Sequence, residues 1–303
     1  MIDLGTFGGT DSGAFAVNAH GQVVGFSYTI GNAEQHAFSW TPEGGMIDLG
    51  PGRALAVNAQ GQVVGDNGSH AFSWTRAGGM IDLGTLGGAF SGAFAVNDRG
   101  QVVGFSTTGG ELNHAFSWTR ADGMIDLGTL GGTFSQAIAV SDSGHVVGVS
   151  TTAGDAETHA FSWTQAGGPV DLGTLGGTFS LAVAVNAHGQ VVGVSTTAGD
   201  AETHAFSWTR AGGMIDLGTL GGTDSFATAV NDRGQVVGDS SIADDAERHA
   251  FSWTEAGGII DLGTLGGTAT QAYAVSARGQ VVGYSSTPDN AGDHAVLWAA
   301  GAQ

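Results

Sequence analysis

Short runs of apolar residues with a two-residue period, each closed by a polar or glycine-rich break, repeat along the whole chain. In one stretch, QAIAV over 136–140, small and larger apolar residues alternate as they do in a strand. Asp142-Ser143-Gly144 follows and predicts a type I turn closed by a left-handed glycine, since only glycine takes positive φ without a steric cost. HVVGVS over 145–150 is β-branched and reads as a second strand. A polar loop over 151–158 leads to a third strand, 159–163, and a turn at Ala166-Gly167-Gly168 leads to a fourth, 170–172. Phe161 and Trp163 lie two residues apart, so they share one face of the third strand, free to pack on a neighbouring unit.

This pattern is one copy of a repeat. The phrase HAFSW begins at His36, His70, His114, His159, His204 and His249 and returns as HAVLW at His294, with spacings of 34, 44, 45, 45, 45 and 45 residues. Its seven copies hold all seven tryptophans: Trp40, Trp74, Trp118, Trp163, Trp208, Trp253 and Trp298. Four short antiparallel strands in each ~45 residues predict an all-β, seven-bladed β-propeller rather than a β-solenoid, whose coils are shorter. The A-x-A-V strand, with paired alanines, suits the crowded innermost position; GQVVG is then second, HAFSW third and MIDLG outermost. The chain begins in an outer strand, 1–4, and ends in a third strand, 294–298, so the N-terminal strand is expected to pair into the last blade and close a single domain over 1–303.

AVNxxGQVVG, HAFSW and MIDLGTLGG together resemble the HAF-type extracellular repeat of bacterial proteins, over essentially the whole chain. The resemblance implies a propeller, often in exported proteins, and implies no catalytic residues. It places the protein outside the cell, although no signal peptide precedes the first MIDLG phrase.

Composition narrows the function. The 55 glycines fall at fixed repeat positions, and 41% hydrophobic residues suffice for a core. A formal charge of −20, with eight arginines and no lysine, lacks the basic footprint that nucleic acid or an anionic membrane requires. No apolar run approaches the ~18 residues of a membrane span. The absence of cysteine excludes disulfides, thiolate catalysis and cysteine zinc sites. A closed acidic unit of this kind is expected to be a monomer.

Strand order sends the long connections (TLGGTFS and STTAGDAET) to one face, where variation also concentrates. Asp11, Phe90, Phe134, Phe179 and Asp224 vary after the double glycine; Arg53 and Phe226 vary just before the paired alanines, and Tyr273 varies between them. These eight are the candidate ligand-binding residues, since loops on rigid scaffolds carry function disproportionately. The second repeat is 11 residues short, five lost before its inner strand and six before His70. Both deletions fall on the same face and predict a notch beside Arg53.

The loop acids Glu34, Glu111, Asp155, Glu157, Asp200, Glu202, Asp244, Asp245, Glu247, Asp289 and Asp293 are oxygen-rich enough to raise Ca²⁺ as a ligand, but none shows the dense D-x-D-x-D-G spacing of a calcium loop. No other cofactor or metal site is expected. The seven repeated histidines, and the aspartates of DLG such as Asp48, Asp82 and Asp126, recur in nearly every blade and read as structural positions, like the tryptophans. No nucleophile elbow, H-E-x-x-H or Walker loop is present, and GTLGGT joins two strands without opening a helix. The leading expectation is a non-enzymatic propeller presenting its loop face to a protein or glycan. The alternatives are a carbohydrate-active lyase or hydrolase with one funnel site near Arg53, Tyr273 and Asp11, and a multivalent lectin with one site per blade.

Overall fold

The structure, a computed structural model, describes residues 2–299. It is all-β apart from single 3-10 turns such as Ile30–Asn32 and Ala153–Asp155, and no helix is long and apolar enough to cross a membrane. Strands come in successive modules. The first holds β1 (Gly8–Val17), β2 (Val23–Thr29), β3 (Gln35–Thr41) and β4 (Gly45–Pro51). The second holds β5 (Arg53–Val57), β6 (Val63–Asp66), β7 (Ala71–Thr75) and β8 (Gly79–Asp82). The third holds β9 (Gly87–Val96), β10 (Val102–Thr108), β11 (Asn113–Thr119) and β12 (Gly123–Asp126). Then come β13 (Gly131–Val140), β14 (Val146–Thr152), β15 (Thr158–Thr164) and β16 (Gly168–Asp171). The fifth comprises β17 (Gly176–Val185), β18 (Val191–Thr197), β19 (Thr203–Thr209) and β20 (Gly213–Asp216), and the sixth β21 (Gly221–Val230), β22 (Val236–Ile242), β23 (Arg248–Thr254) and β24 (Gly258–Asp261). Three strands, β25 (Thr270–Val275), β26 (Val281–Ser286) and β27 (Asp293–Trp298), end the chain.

By contacts the chain divides into two compact units, residues 2–129 with 133–144 and residues 130–132 with 145–299; β13 spans the boundary. In the first unit each module is an antiparallel sheet in sequence order, as in β5-β6-β7-β8. In the second unit the same order holds, and single parallel bridges, Thr158↔Phe179 and Thr203↔Asp224, stitch one module to the next.

The core lies between modules. In the first unit Val24, Ala37 and Leu49 of one module pack with Ala54, Val63 and Phe72 of the next, and Trp74 borders them. Val192, Ala205 and Leu217 meet Ala227, Val236, Phe251 and Trp253 in the same way in the second. The asparagine after A-x-A-V adds a polar tie: Asn58 Nδ2 donates to the Asn97 carbonyl at 2.9 Å, and Asn186 Nδ2 to that of Asn231 at 3.0 Å. Glycine in VVG is set by close approach. A Cβ on Gly65 would lie 1.9 Å from the Arg53 carbonyl oxygen, so only hydrogen fits beside the irregular β5–β6 register.

One expectation changes. The inner strand begins well before A-x-A-V: β9 starts at Gly87 and pairs with β10 from Gly87↔Thr108 to Val96↔Val102. The double glycine therefore lies in the strand and not in a loop, because any Cβ on Gly88 would meet Thr107 at 2.3 Å. At the N-terminus, residues 2–6 carry no strand and β25-β26-β27 has three strands among the described residues; Met1 lies outside them. Residues 3–5 keep the turn that follows the outer strand elsewhere: Gly5 N–H donates to Asp3 Oδ1 at 2.9 Å, as Gly84 N–H does to Asp82 Oδ1.

Candidate functional site: a notch in the second module

The short repeat is where the first unit opens. Its deletions leave all four strands but trim three: β5, β6 and β7 have five, four and five residues, against ten, seven and seven in the third module. The long loop between second and third strands is reduced to a tight turn, in which Asn67 Oδ1 accepts from the N–H groups of Ser69 and His70. The space vacated is a cavity of about 610 Å³ lined by residues of the second and third modules, including Arg53, Asp66, Phe90, Phe105, Glu111 and Asn113.

The effect on Phe90 is direct. Its counterpart Phe179 is bridged to Thr158 of the preceding module and is half-buried. In the second module the matching segment is the short turn, whose Ser69 carbonyl accepts from Ser91 N–H but which carries no long loop in front of it. Phe90 is left 54% exposed. Behind it Phe94 and Phe105 stack, with centroids 5.6 Å apart and planes at 30°. Gly92 makes room for that pair, since a Cβ there would lie 2.8 Å from the Phe105 ring.

Arg53 faces Asp66 across the β5–β6 pair, and its Nη2 donates to Asp66 Oδ2 at 3.0 Å. Asp66 Oδ1 accepts from Gly68 N–H, so this carboxylate is engaged on both oxygens. The Arg53 side chain keeps 46% exposure. Glu111, at φ 59°, and Asn113, at the start of β11, have no side-chain hydrogen bond among the described residues. The cavity thus joins apolar ring faces to an exposed guanidinium, a carboxylate and an amide.

Of the eight candidates, Arg53 and Phe90 come together here. Asp11 stands exposed on β1 and accepts from Thr10 Oγ1, and Phe134 lies on β13 outside the cavity lining. In the second unit Asp224 accepts from Thr203 N–H, and Phe226 lies under the Arg248 guanidinium at 4.9 Å. Tyr273 packs its ring 5.9 Å from that of Tyr284. Sequence reasoning missed the partners on the second strand. Arg53↔Asp66, Gly92↔Phe105, Phe226↔Asp239 and Gln271↔Tyr284 are cross-strand pairs that complement in size or charge. The signal lay two residues after each VV, beside the glycine common to all seven copies. Asp239 is buried, takes two bonds from Arg248 and one from Gln271, and is fully satisfied.

The repeated histidines reach the DLG aspartates. His36, His70, His114, His159, His204 and His249 place Nδ1 2.8–2.9 Å from Asp48, Asp82, Asp126, Asp171, Asp216 and Asp261. In four modules Nε2 also meets a loop glutamate, as His159 meets Glu157 at 2.8 Å. Burial acts to lower the His36 pKa, but its hydrogen bonds to Asp48 and Glu34 outweigh this and raise it above 6.5. His294 on β27 is exposed. The loop acids serve their own turns: Asp200 accepts from Thr196 Oγ1 and Thr178 N–H, which holds its carboxyl below the usual range. No group of three or more histidine, aspartate or glutamate side chains poised for a metal occurs among the described residues. Of the tryptophans, Trp163 and Trp253 are buried and Trp40, Trp74, Trp118, Trp208 and Trp298 half-buried. Trp208 and Trp253 border grooves of about 170 and 210 Å³ at the short-turn end.

No protein-family model matches the sequence, and no curated protein does. Solved structures match by shape. Puromycin hydrolase aligns at TM-score 0.59 and 14% identity over 96% of this chain and 52% of its own. A puromycin-hydrolyzing peptidase of Mycobacterium tuberculosis aligns at TM-score 0.58 and 13% identity, over 95% and 51%. The β-propeller domain of the Trilobed protease from Pyrococcus furiosus aligns at TM-score 0.56 and 9% identity, over 95% and 96%. The chain spans about half the length of the hydrolase and the peptidase, and nearly all of the protease's propeller domain.

Proposed function

From that β-propeller fold, we propose that the protein is a non-enzymatic binding propeller that engages a protein or glycan at one principal site, the notch of the second module. One observation carries this reading: the repeat that departs from the common length is the one whose departure opens a cavity of about 610 Å³, within the roughly 300–1,000 Å³ typical of ligand pockets. A single specialised site on a repetitive body is expected to break the repeat, and this is such a break. Its setting, by the repeat resemblance, is outside the cell.

The same reading takes the seven modules as seven blades, with residues 2–4 as the outer strand of the last. Local features at each end support it. Asp3 makes with Gly5 the turn that Asp82 makes with Gly84, and among the described residues β27 lacks the outer neighbour that β7 has in β8.

The test is stoichiometry. Protein and glycan arrays followed by calorimetric titration are expected to give one site per chain, weakened at least about tenfold by Arg53→Ala, the scale of one lost charged contact. Several equivalent sites per chain, untouched by that substitution, would replace this reading with a lectin bearing one site per blade.

A further inference from the structure

We infer that the notch takes a neutral sugar ring, stacked on Phe90 and hydrogen-bonded along its rim by Arg53, Glu111 and Asn113; this rests on the notch being the binding site. The inference comes from matching the chemistry of the wall to what it can desolvate. Phe90 presents an exposed face on the rim, and the stacked Phe94 and Phe105 continue the apolar lining. Around these rings stand the donor-only Arg53, the acceptor-only Glu111 and the Asn113 amide that does both, with a second carboxylate, Asp66, already engaged by Arg53 and Gly68 N–H.

Other ligand classes fit less well. An anion would meet Glu111 and the field of a chain of formal charge −20, with Arg53 already paired to Asp66. A cation would be drawn by Glu111 and the ring faces but opposed by the guanidinium that lines the same space. A purely aromatic or aliphatic ligand would strip water from Arg53, Glu111 and Asn113 and return no hydrogen bond, which is costly. A pyranose has what remains: an apolar C–H face for Phe90 and a rim of hydroxyls that both donate and accept. Glu111 and Asn113 are unspent in the folded protein, whereas Thr107, also in the lining, is committed to the Phe90 backbone.

The fourth and fifth modules differ at the matching positions. Where the notch has Glu111 and Asn113, the fourth and fifth modules carry Asp155 and Asp200, both bonded to a loop threonine, and Thr158 and Thr203, held in the strands that the long loops extend. Phe179 has the ring but is half-buried.

The experiment titrates the full chain with maltotriose, cellotriose, chitotriose and lactose, with a sulfated heparin disaccharide as anionic probe and an arginine-rich peptide as cationic probe. Saturable 1:1 binding of at least one neutral sugar is expected. Phe90→Ala and the double variant Glu111→Gln/Asn113→Ala should each weaken it tenfold or more, while Ile30→Ser, on a first-module turn outside the cavity lining, leaves it unchanged. Phe90 is exposed, so its variant should keep the parent's circular dichroism and melting curve, which are recorded alongside. Failure of all four sugars to saturate, or binding indifferent to Phe90→Ala, overturns the sugar inference. Binding of the peptide or the heparin fragment that is lost in Phe90→Ala overturns it too, while leaving the notch as a binding site. A probe that binds with no sensitivity to any notch variant overturns both readings.

Discussion

At the scale of single residues, the repeat positions that look most chemical are tied into the scaffold, and those that look most inert are the most constrained. Gly65 is an example. A methyl group there would lie 1.9 Å from the Arg53 carbonyl oxygen, so β5 and β6 would have to separate. Gly65→Ala is expected to cost about 1–3 kcal/mol, the range for overpacking, read as a lower midpoint of urea unfolding. One histidine gives a pH signature. His36 holds its proton more tightly folded than unfolded, because Asp48 and Glu34 overcome the effect of burial. Its contribution is complete below about pH 6.5 and is lost as pH rises through the higher folded value. Asp82 and Asp200 run the other way. Their depressed carboxyls contribute above the usual 3.8 and lose that contribution as pH falls through the folded values. Unfolding midpoints measured across pH should therefore show a shallow alkaline decline that His36→Gln reduces and an acid decline that it does not affect.

At the scale of elements, a module is a four-stranded sheet whose faces are buried only by its neighbours. Phe72 on β7 illustrates this. It is 1% exposed and packs with Val24, Ala37 and Leu49 of the preceding module. Phe72→Ala is expected to lower stability by about 3–5 kcal/mol, as buried aromatic truncations do. Phe90→Ala, on a half-exposed ring at the mouth of the notch, should change it by about 0.5 kcal/mol or less. Guanidinium unfolding of the two variants makes the comparison, and equal losses would mean that Phe90 belongs to the core. The trimmed strands explain why the second module can hold a cavity without losing its sheet. Ladder pairs from Arg53↔Asp66 and Asp66↔Ala71 to Thr75↔Gly79 persist, and what is missing is the extension beyond Asp66.

At the scale of the whole molecule, the proposed seventh blade can be tested with chemistry that the chain otherwise lacks. It has no cysteine, so a disulfide can form only where two are introduced. By the register Ser73↔Ile81, the proposed outer strand sets Ile2 opposite Leu297. Antiparallel partners stand about 4.5–5.5 Å apart, within disulfide reach. Ile2→Cys with Leu297→Cys is expected to oxidise within one chain, seen as a faster band on non-reducing gels. Crosslinks between chains only, or free thiols after oxidation, would count against closure by residues 2–4.

The 45-residue period, the alternation in A-x-A-V and the N-x-x-G-Q turn made the strands and their order legible, because β geometry is written locally at a two-residue spacing. The notch was legible too, as a deletion placed between intact motifs beside Arg53. What the sequence could not determine is what a residue meets across a ladder or between modules. Asp66 opposite Arg53, Phe105 beneath Gly92 and Asp239 under Arg248 are contacts of register, not of spacing. The exposure of Phe90 against the half-burial of Phe179 depends on whether a preceding loop reaches far enough to cover it. Identical phrases therefore acquire different surroundings only in the folded chain, where neighbours supply or withhold the covering atoms.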